Sequence, residues 1–349
     1  MKKINLSFKK TISHNGKCFV IAEAGVNHNG SLKIAKKLVD IAVQAKADAV
    51  KFQTFLADEI ILKKAPKARY HIETTGSDKS LSWYELLKSQ EISLKMHKDL
   101  IKYCNKKKII FMSTPYDKKS VDLLDSLGVK LFKIASTDSN NHQLIEYIAK
   151  KKKPVILSTA MSSIKDIESS FKILKKHLKN NFAIMQCTGS YPAPIEDSNL
   201  KVINFYKNKF KCLVGYSDHV MDDSAVLAAL GVGISIYEKH ITVSKKLPGP
   251  DHRASLEKDE FINLVKKIRS VELAIGDGKK RIMPCERNNV NKLKKFLVAN
   301  NDIPKGKRIA SNDITTKRTG GLGLPASKYF KILNKKSWKN FKKNQPLTI

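Results

Sequence analysis

The chain has 349 residues, 42% of them hydrophobic, and a formal net charge of +34. That length allows one large domain with a smaller one beside it, and no apolar run reaches the ~18–20 residues of a membrane span. A charge this basic raises the question of a nucleic-acid partner. The lysines, however, are spread along the whole chain, and there is no zinc finger, aromatic RNA-binding signature or basic heptad helix. The expected reading is a solvated basic surface that also gathers anionic small substrates, with neither a nucleic acid nor a membrane as partner.

In chain order, MKKINLSFKK has lysines but no apolar core behind them, so no secretory signal is read. Eight short apolar, β-branched runs then follow: residues 18–25, 48–54, 109–114, 131–136, 154–160, 182–188, 212–218 and 235–242. Amphipathic segments separate them. In the first, Leu32, Ala35, Leu38, Val39 and Ala42 share one helical stripe. Strands alternating with helices imply parallel pairing with crossover helices, and runs apolar on both faces imply burial on both. Eight such units in one domain predict a (β/α)8 barrel (TIM barrel) over residues 1–275. An open doubly wound sheet is the alternative, but EAGVNHNG lacks the G-x-G-x-x-G of dinucleotide binding. A longer insert at about 55–92 reads as a lid or rim loop. A polar, turn-rich linker is expected at 276–291, and a small β-rich domain at 292–349 with strands at FLVA, RIA and ITTKR. Five cysteines, odd in number, scattered and without a C-x-x-C pair, fit a reducing cytoplasm.

A parallel barrel carries its chemistry at the C-terminal ends of the strands. In order, those ends are Glu23 with Asn27 and His28 beyond it; Lys51 and Gln53; Ser113 and Thr114; Lys133, Ser136 and Asp138; Ser158 and Thr159; Thr188, Ser190 and Tyr191; Ser217, Asp218 and His219; and Glu238 and His240, then Asp251 and His252. Each polar residue taken singly has a plain reading as solvated or helix-capping, the Ser113–Thr114 and Ser158–Thr159 pairs above all. Lys51 and Lys133 resist it, because each interrupts an apolar run where an unpaired charge is costly. Two inward lysines among hydroxyls make a site for phosphate or carboxylate. His219 and His240, ending neighbouring strands beside that site, suit a divalent transition metal with open positions, acting as a Lewis acid on a carbonyl oxygen.

The motifs FVIAEAGVNHNGSL, DAVKFQTF, FMSTPYD, KIASTD, ILSTAMSS, QCTGSYPAP, GYSDH and EKHIT…PGPDHRASL resemble, in this order, those of sialic acid synthases of the N-acetylneuraminate synthase type. VANNDIPKGKRIASNDITTKR is similar to the antifreeze-like (SAF) domain of that family. The resemblance covers nearly the whole chain. It implies a barrel, a homodimer with swapped C-terminal domains, and a divalent metal, Mn2+ before Mg2+ or Co2+. The implied reaction condenses phosphoenolpyruvate with N-acetylmannosamine in its aldehyde form; legionaminic acid synthesis from a 2,4-diacetamido-trideoxy hexose is the rival. By motif, Lys51, Thr114, Lys133, Ser136, Ser158 and Ser217 resemble the phosphoenolpyruvate set, and His219 and His240 the metal ligands. Gln53, Tyr191 and Asp251 resemble residues around the sugar, and Arg318 the arginine sent into the partner's site. Glu23 is the expected water-assisting carboxylate, with Asp138 as competitor. Three departures bear on the sugar: Asp138 where relatives often have Glu, Gly189–Ser190 where several carry a larger polar residue, and KRTGGLG at the arginine.

Overall fold

The computed structural model describes residues 3–6, 10–14, 16–77 and 81–349. A two-stranded hairpin, β1 (Lys3–Asn5) and β2 (Thr11–Ser13), comes before the main sheet. The eight expected strands follow as β3 (Phe19–Gly25), β4 (Ala49–Thr54), β5 (Ile110–Pro115), β6 (Phe132–Ile134), β7 (Val155–Ser158), β8 (Phe182–Cys187), β9 (Leu213–Asp218) and β10 (Ile236–His240). The strand pairs of this sheet are parallel, and the order β5-β4-β3-β10-β9-β8-β7-β6 brings β5 beside β6, so the sheet nearly closes as a barrel.

The wall helices are α1 (Leu32–Gln44), α5 (Leu94–Lys107), α6 (Lys118–Ser126), α7 (His142–Lys150), α8 (Ile164–Leu178), α9 (Lys201–Phe210), α10 (Ser224–Gly231) and α11 (Lys258–Ile275). Their starts follow local chemistry. Ser31, Ser93, Asp117 and Ser163 each accept from a backbone N–H of the first turn. α1 buries Ala35, Leu38, Val39, Ile41 and Ala42, which is the stripe read from sequence with Ile41 added and Leu32 left at its edge. Strand alternation divides the core in two. Phe19, Ile21, Met112, Ile156, Met185 and Ile236 fill the barrel interior, while Val20, Val50, Phe111, Val155, Ile184, Val214 and Tyr237 face the helices.

The insert after β4 is not an irregular loop. It folds as α2 (Ala57–Ile60), α3 (Arg69–Thr75) and α4 (Trp83–Gln90), the last opened by a Ser82–Glu85 capping box.

The chain divides into two units, Met1–Gly276 and Asp277–Ile349. In the second, α12 (Arg287–Leu293) makes part of the expected linker helical. Antiparallel strands β11 (Phe296–Ala299) and β12 (Ile314–Lys317), with the short helix α13 (Tyr329–Ile332), enclose a core of Leu297, Ala299, Ile303, Ile309, Ile314, Phe341 and Leu347. The third expected strand, RIA, is reduced to a single bridge between Arg308 and Lys336, because its neighbours turn at Pro304–Lys307 and at the 3-10 turn Ser311–Asp313. No helix among the described residues is long and apolar enough to cross a membrane.

Candidate active site

At the C-terminal end of the barrel an inner cavity of ≈ 330 Å³ opens into an outer one of ≈ 570 Å³ that shares Gln53, Tyr70, His71, Trp83, Tyr116, Tyr191 and His240 with it. The inner cavity is lined from seven strands or strand ends by Glu23, Lys51, Thr114, Lys133, Ser136, Ser158, Ser217, His219, Glu238 and His240. The outer one is lined by Asp138 and Asp251 and, from the insert, by Phe55, Ile60, Ile61, Leu62, Leu86 and Leu87.

Neither inward lysine is unpaired, which answers the cost that their apolar runs raise. Lys51 Nζ meets Glu23 Oε2 at 2.8 Å and Glu238 Oε1 at 3.7 Å, and donates to Thr114 Oγ1 at 3.0 Å. Lys133 Nζ donates to Glu238 Oε1 at 3.3 Å, and Ser217 Oγ donates to the same oxygen at 3.2 Å. All four charged groups are buried. Such a chain of alternating ammonium and carboxylate keeps cations available inside a barrel, where lone ones would be expelled or neutralised. Its electrostatics are uneven. Burial pushes the Glu23 carboxyl up to about 7, with Lys51 opposing. Glu238 is also penalised by burial, but Lys133 and Lys51 outweigh it and hold the carboxyl low. Burial lowers Lys133 against the pull of Glu238, whereas at Lys51 the paired carboxylates outweigh burial and raise it.

The strand-end hydroxyls are not helix caps, since the caps of α6 and α8 are Asp117 and Ser163. Thr114 holds Lys51; Ser113 bonds Thr54 at 2.6 Å; Thr159 donates to the Met185 carbonyl at 2.8 Å. Among the described residues Ser158 Oγ and Glu238 Oε2 are buried with no hydrogen-bond partner, as is Glu23 Oε2 apart from its ion pair with Lys51. Of these, the Ser158 hydroxyl can donate to an anion, whereas the two carboxylate oxygens can only accept.

His219 and His240 have ring centroids 5.5 Å apart, with the Tyr191 ring against both at 4.1 and 5.7 Å. His219 Nδ1 meets the Thr188 carbonyl at 2.6 Å, which fixes the ring and leaves Nε2 to face the cavity. His240 Nδ1 is buried without a hydrogen bond and lies 3.8 Å from Asp251 Oδ2. Burial, then His219, depresses His240 well below the usual imidazole range. Two neutral-capable imidazoles with an orphaned nitrogen fit a divalent metal. Among the described residues no group of three or more His, Cys, Asp or Glu forms a cage, so the protein would provide two ligands and leave the other positions open. Gly25 sits between Glu23, Gln53 and Asp251 in a left-handed turn that side chains rarely adopt: φ is +51, and a Cβ there would stand 3.4–3.5 Å from all three.

A family model described as the NeuB family matches residues 38–280, and one described as the SAF domain matches residues 294–349. The chain belongs to the NeuB family of sialic acid synthases. It is 44% identical to the N,N'-diacetyllegionaminic acid synthase of Campylobacter jejuni over 94% of this chain and 98% of that one. It is 35% identical to the human N-acetylneuraminate-9-phosphate synthase over 91% and 88%. Among solved structures, the N-acetylneuraminic acid synthetase of Leptospira borgpetersenii, in complex with citrate, superposes with a TM-score of 0.72 at 34% identity, covering 83% of this chain and 95% of that one.

Within this NeuB-family barrel the residues assigned to the anion, the sugar, the metal and the water, from Glu23 to Asp251, each line one of the two cavities. Asp138 stands apart from Glu23: it lines only the outer cavity, accepts from Asn141 Nδ2 at 2.9 Å, and is raised by burial. Arg318 belongs to the second unit, where it is exposed and its Nε donates to the Leu293 carbonyl at 3.2 Å. Asn27, His28 and His252 line neither cavity. Asn27 Nδ2 ties the Ile241 carbonyl and Ser255, and His252 Nδ1 bonds Thr242 at 2.7 Å. The space beside Gly189 is taken by Met161, whose Cγ would stand 3.1 Å from an added Cβ.

The insert supplies what sequence reading missed. Tyr70 stacks on Tyr191 at 5.4 Å, and His71, its Nδ1 buried without a partner, packs against Trp83 at 5.1 Å. The run Tyr70–His71 next to Trp83–Tyr84 was the available signal: polar aromatics cluster where a wall must be apolar and wet at once. Tyr116 and Cys187 also line the site, and Glu238 is its central counterion.

Proposed function

We propose that the chain is a nonulosonic acid synthase that condenses phosphoenolpyruvate with the open-chain aldehyde of an N-acetylated amino sugar and water, releasing phosphate by C–O cleavage. One observation carries this: two buried lysines, each compensated by carboxylate, lie on the floor of a cavity whose rim holds a histidine pair. Lys51, Lys133, Thr114, Ser136, Ser158 and Ser217 would bind the phosphate and carboxylate of phosphoenolpyruvate and stabilise the phosphate as it leaves. Gln53, Tyr191 and Asp251 would hold the sugar chain with its aldehyde carbon over C3 of the enol. Glu23, poised near neutrality beside Lys51, is the group for the water that adds at C2; Asp138 is too far into the outer cavity to serve. His219 and His240 would hold a divalent metal, Mn2+ in preference to Mg2+ or Co2+, which supplies Lewis acidity at the aldehyde oxygen. Arg318 would reach the sugar from a second copy of the chain in a swapped homodimer.

For the sugar, the outer cavity favours a neutral, partly deoxygenated one. Among its described lining residues there is no Lys or Arg; there are Glu59, Asp138 and Asp251, and a wall of Phe55, Ile60, Ile61, Leu62, Leu86 and Leu87. Carboxylates would repel a sugar phosphate, while the apolar wall suits an acetamido methyl and a deoxy carbon. Together with the legionaminic acid synthase relative at 44% identity, this supports 2,4-diacetamido-2,4,6-trideoxymannose as acceptor. N-acetylmannosamine is the second reading, favoured by the polar Gln53 and Tyr191 on the shared rim and Asp251 in the outer cavity. The test is product formation from each sugar, and from N-acetylmannosamine 6-phosphate, with Mn2+ present. Preference for the phosphorylated sugar would overturn the acceptor assignment.

A further inference from the structure

Behind the histidine pair, in the layer between barrel wall and helices, a charged polar knot is set among the apolar side chains. Alternation along β9 and β10 sends Ser217, Glu238 and His240 into the cavity and Tyr216, Asp218, Tyr237 and Lys239 outward. Asp218 and Lys239 are 1% and 2% exposed. Lys239 Nζ meets Asp218 Oδ2 at 3.1 Å, and the Tyr237 hydroxyl donates to the same oxygen at 2.8 Å. Asp218 Oδ1 accepts from Tyr216 at 3.2 Å and from the Val220 N–H at 2.9 Å. Lys239 Nζ also donates to the Val220 carbonyl.

Stability does not account for this arrangement, because a buried ion pair is commonly matched or bettered by well-packed apolar residues. Its position in the chain does account for it. Asp218 immediately precedes His219, Lys239 immediately precedes His240, and Val220 follows His219. The amide N–H of Val220 is held by Asp218 and its carbonyl by Lys239, so the backbone leaving His219 is fixed from both sides. The same ammonium ties it to the residue before His240. We propose that the Asp218–Lys239 pair is a positioning device that holds His219 and His240 at the separation one divalent ion requires. This rests on the metal reading given above.

The test is Mn2+ binding to the full chain without substrates, followed by the free-ion electron paramagnetic resonance signal, with phosphoenolpyruvate binding measured separately by calorimetry without metal. The Asp218→Asn/Lys239→Met double variant avoids leaving either charge buried alone. It should fold, keep the parental affinity for phosphoenolpyruvate, and bind Mn2+ ~10–100-fold more weakly, the range for residues that orient metal ligands. Parental Mn2+ affinity in the folded variant would overturn the proposal. So would equal losses for Mn2+ and phosphoenolpyruvate, which indicate general loosening. If the double variant does not fold, Tyr237→Phe removes one hydrogen bond to Asp218, and the proposal then requires weaker Mn2+ binding with phosphoenolpyruvate binding intact; unchanged Mn2+ binding refutes it. A parent chain that binds no Mn2+ yet releases phosphate would instead sink the metal reading itself.

Discussion

Replacing each floor lysine by methionine should have unequal effects, and the structure gives the order. Lys51→Met takes from Glu23 Oε2 its cation at 2.8 Å, leaving a buried carboxylate with no other ion pair among the described residues. Breaking a buried pair from one side costs ~3–5 kcal/mol. Lys133→Met takes from Glu238 a contact at 3.3 Å, but Glu238 keeps Lys51 at 3.7 Å and Ser217 at 3.2 Å. That loss resembles one hydrogen bond to a charged group, ~1.5–3 kcal/mol. At ~2–4 °C per kcal/mol for a domain of this size, Lys51→Met should melt ~6–20 °C below the parent and Lys133→Met ~3–12 °C below. Because burial already sets Glu23 near 7, it can take up a proton in Lys51→Met, so the gap between the variants should narrow at pH 6 and widen at pH 8. The assay is thermal melting at both pH values, with and without phosphoenolpyruvate, alongside KM for phosphoenolpyruvate. Both variants should lose the stabilisation that the ligand gives the parent, and KM should rise by ~10-fold or more. Lys133→Met melting below Lys51→Met at pH 8, or a gap that ignores pH, would refute the compensation argument. Full ligand protection in both would refute the anion site.

Other consequences follow from the same geometry. Glu23 has an ordinary value of 4.5 and about 7 in the folded chain, so its contribution to stability is full below about 4.5 and is lost as pH rises through about 7. Relative to Glu23→Gln, the parent should therefore lose stability over that window in pH-dependent denaturant melts; parallel curves would remove Glu23 from the account. Turnover needs the carboxylate, so the parent's phosphate release should rise through pH ~7 and Glu23→Gln should lose that limb along with most activity. Treatment with EDTA should abolish turnover and Mn2+ restore it, whereas in His219→Ala the added Mn2+ should restore little; full recovery there would displace the metal from His219. Gly189→Asn should raise KM, because its side chain must displace Met161 in the lining of the inner cavity; Met161→Ala in the same chain should relieve the effect.

Much of the fold and inner site was legible because it depends on local pattern. The eight apolar runs and the stripes between them identify a barrel, and in a barrel the last residues of each run meet whatever the tertiary details. That is why Thr114, Lys133, Ser217 and His219, scattered along the sequence, could be grouped before any contact was known. Counterions were less legible. Glu238 stands in the strand-end roll, but only geometry shows it bridging Lys51 and Lys133. Lys239 carried a signal that alternation exposes: if Glu238 and His240 face inward, Lys239 must enter the layer beneath the helices, where it needs Asp218. Tyr70, His71 and Trp83 were less legible: their clustering as polar aromatics was a signal, but short helices in an insert have too little periodicity to say which face turns to the barrel. The RIA segment failed as a strand for the complementary reason, as its β-branched center is outweighed by turns on both sides.

The central claim is that phosphate leaves phosphoenolpyruvate only when an amino sugar is joined to it. The most direct measurement uses phosphoenolpyruvate carrying oxygen-18 in the bridging position, incubated with Mn2+ with and without 2,4-diacetamido-2,4,6-trideoxymannose or N-acetylmannosamine. Phosphate that appears only when sugar is present and retains the label is the predicted result. Label-free phosphate, or release that does not depend on sugar, would contradict the account.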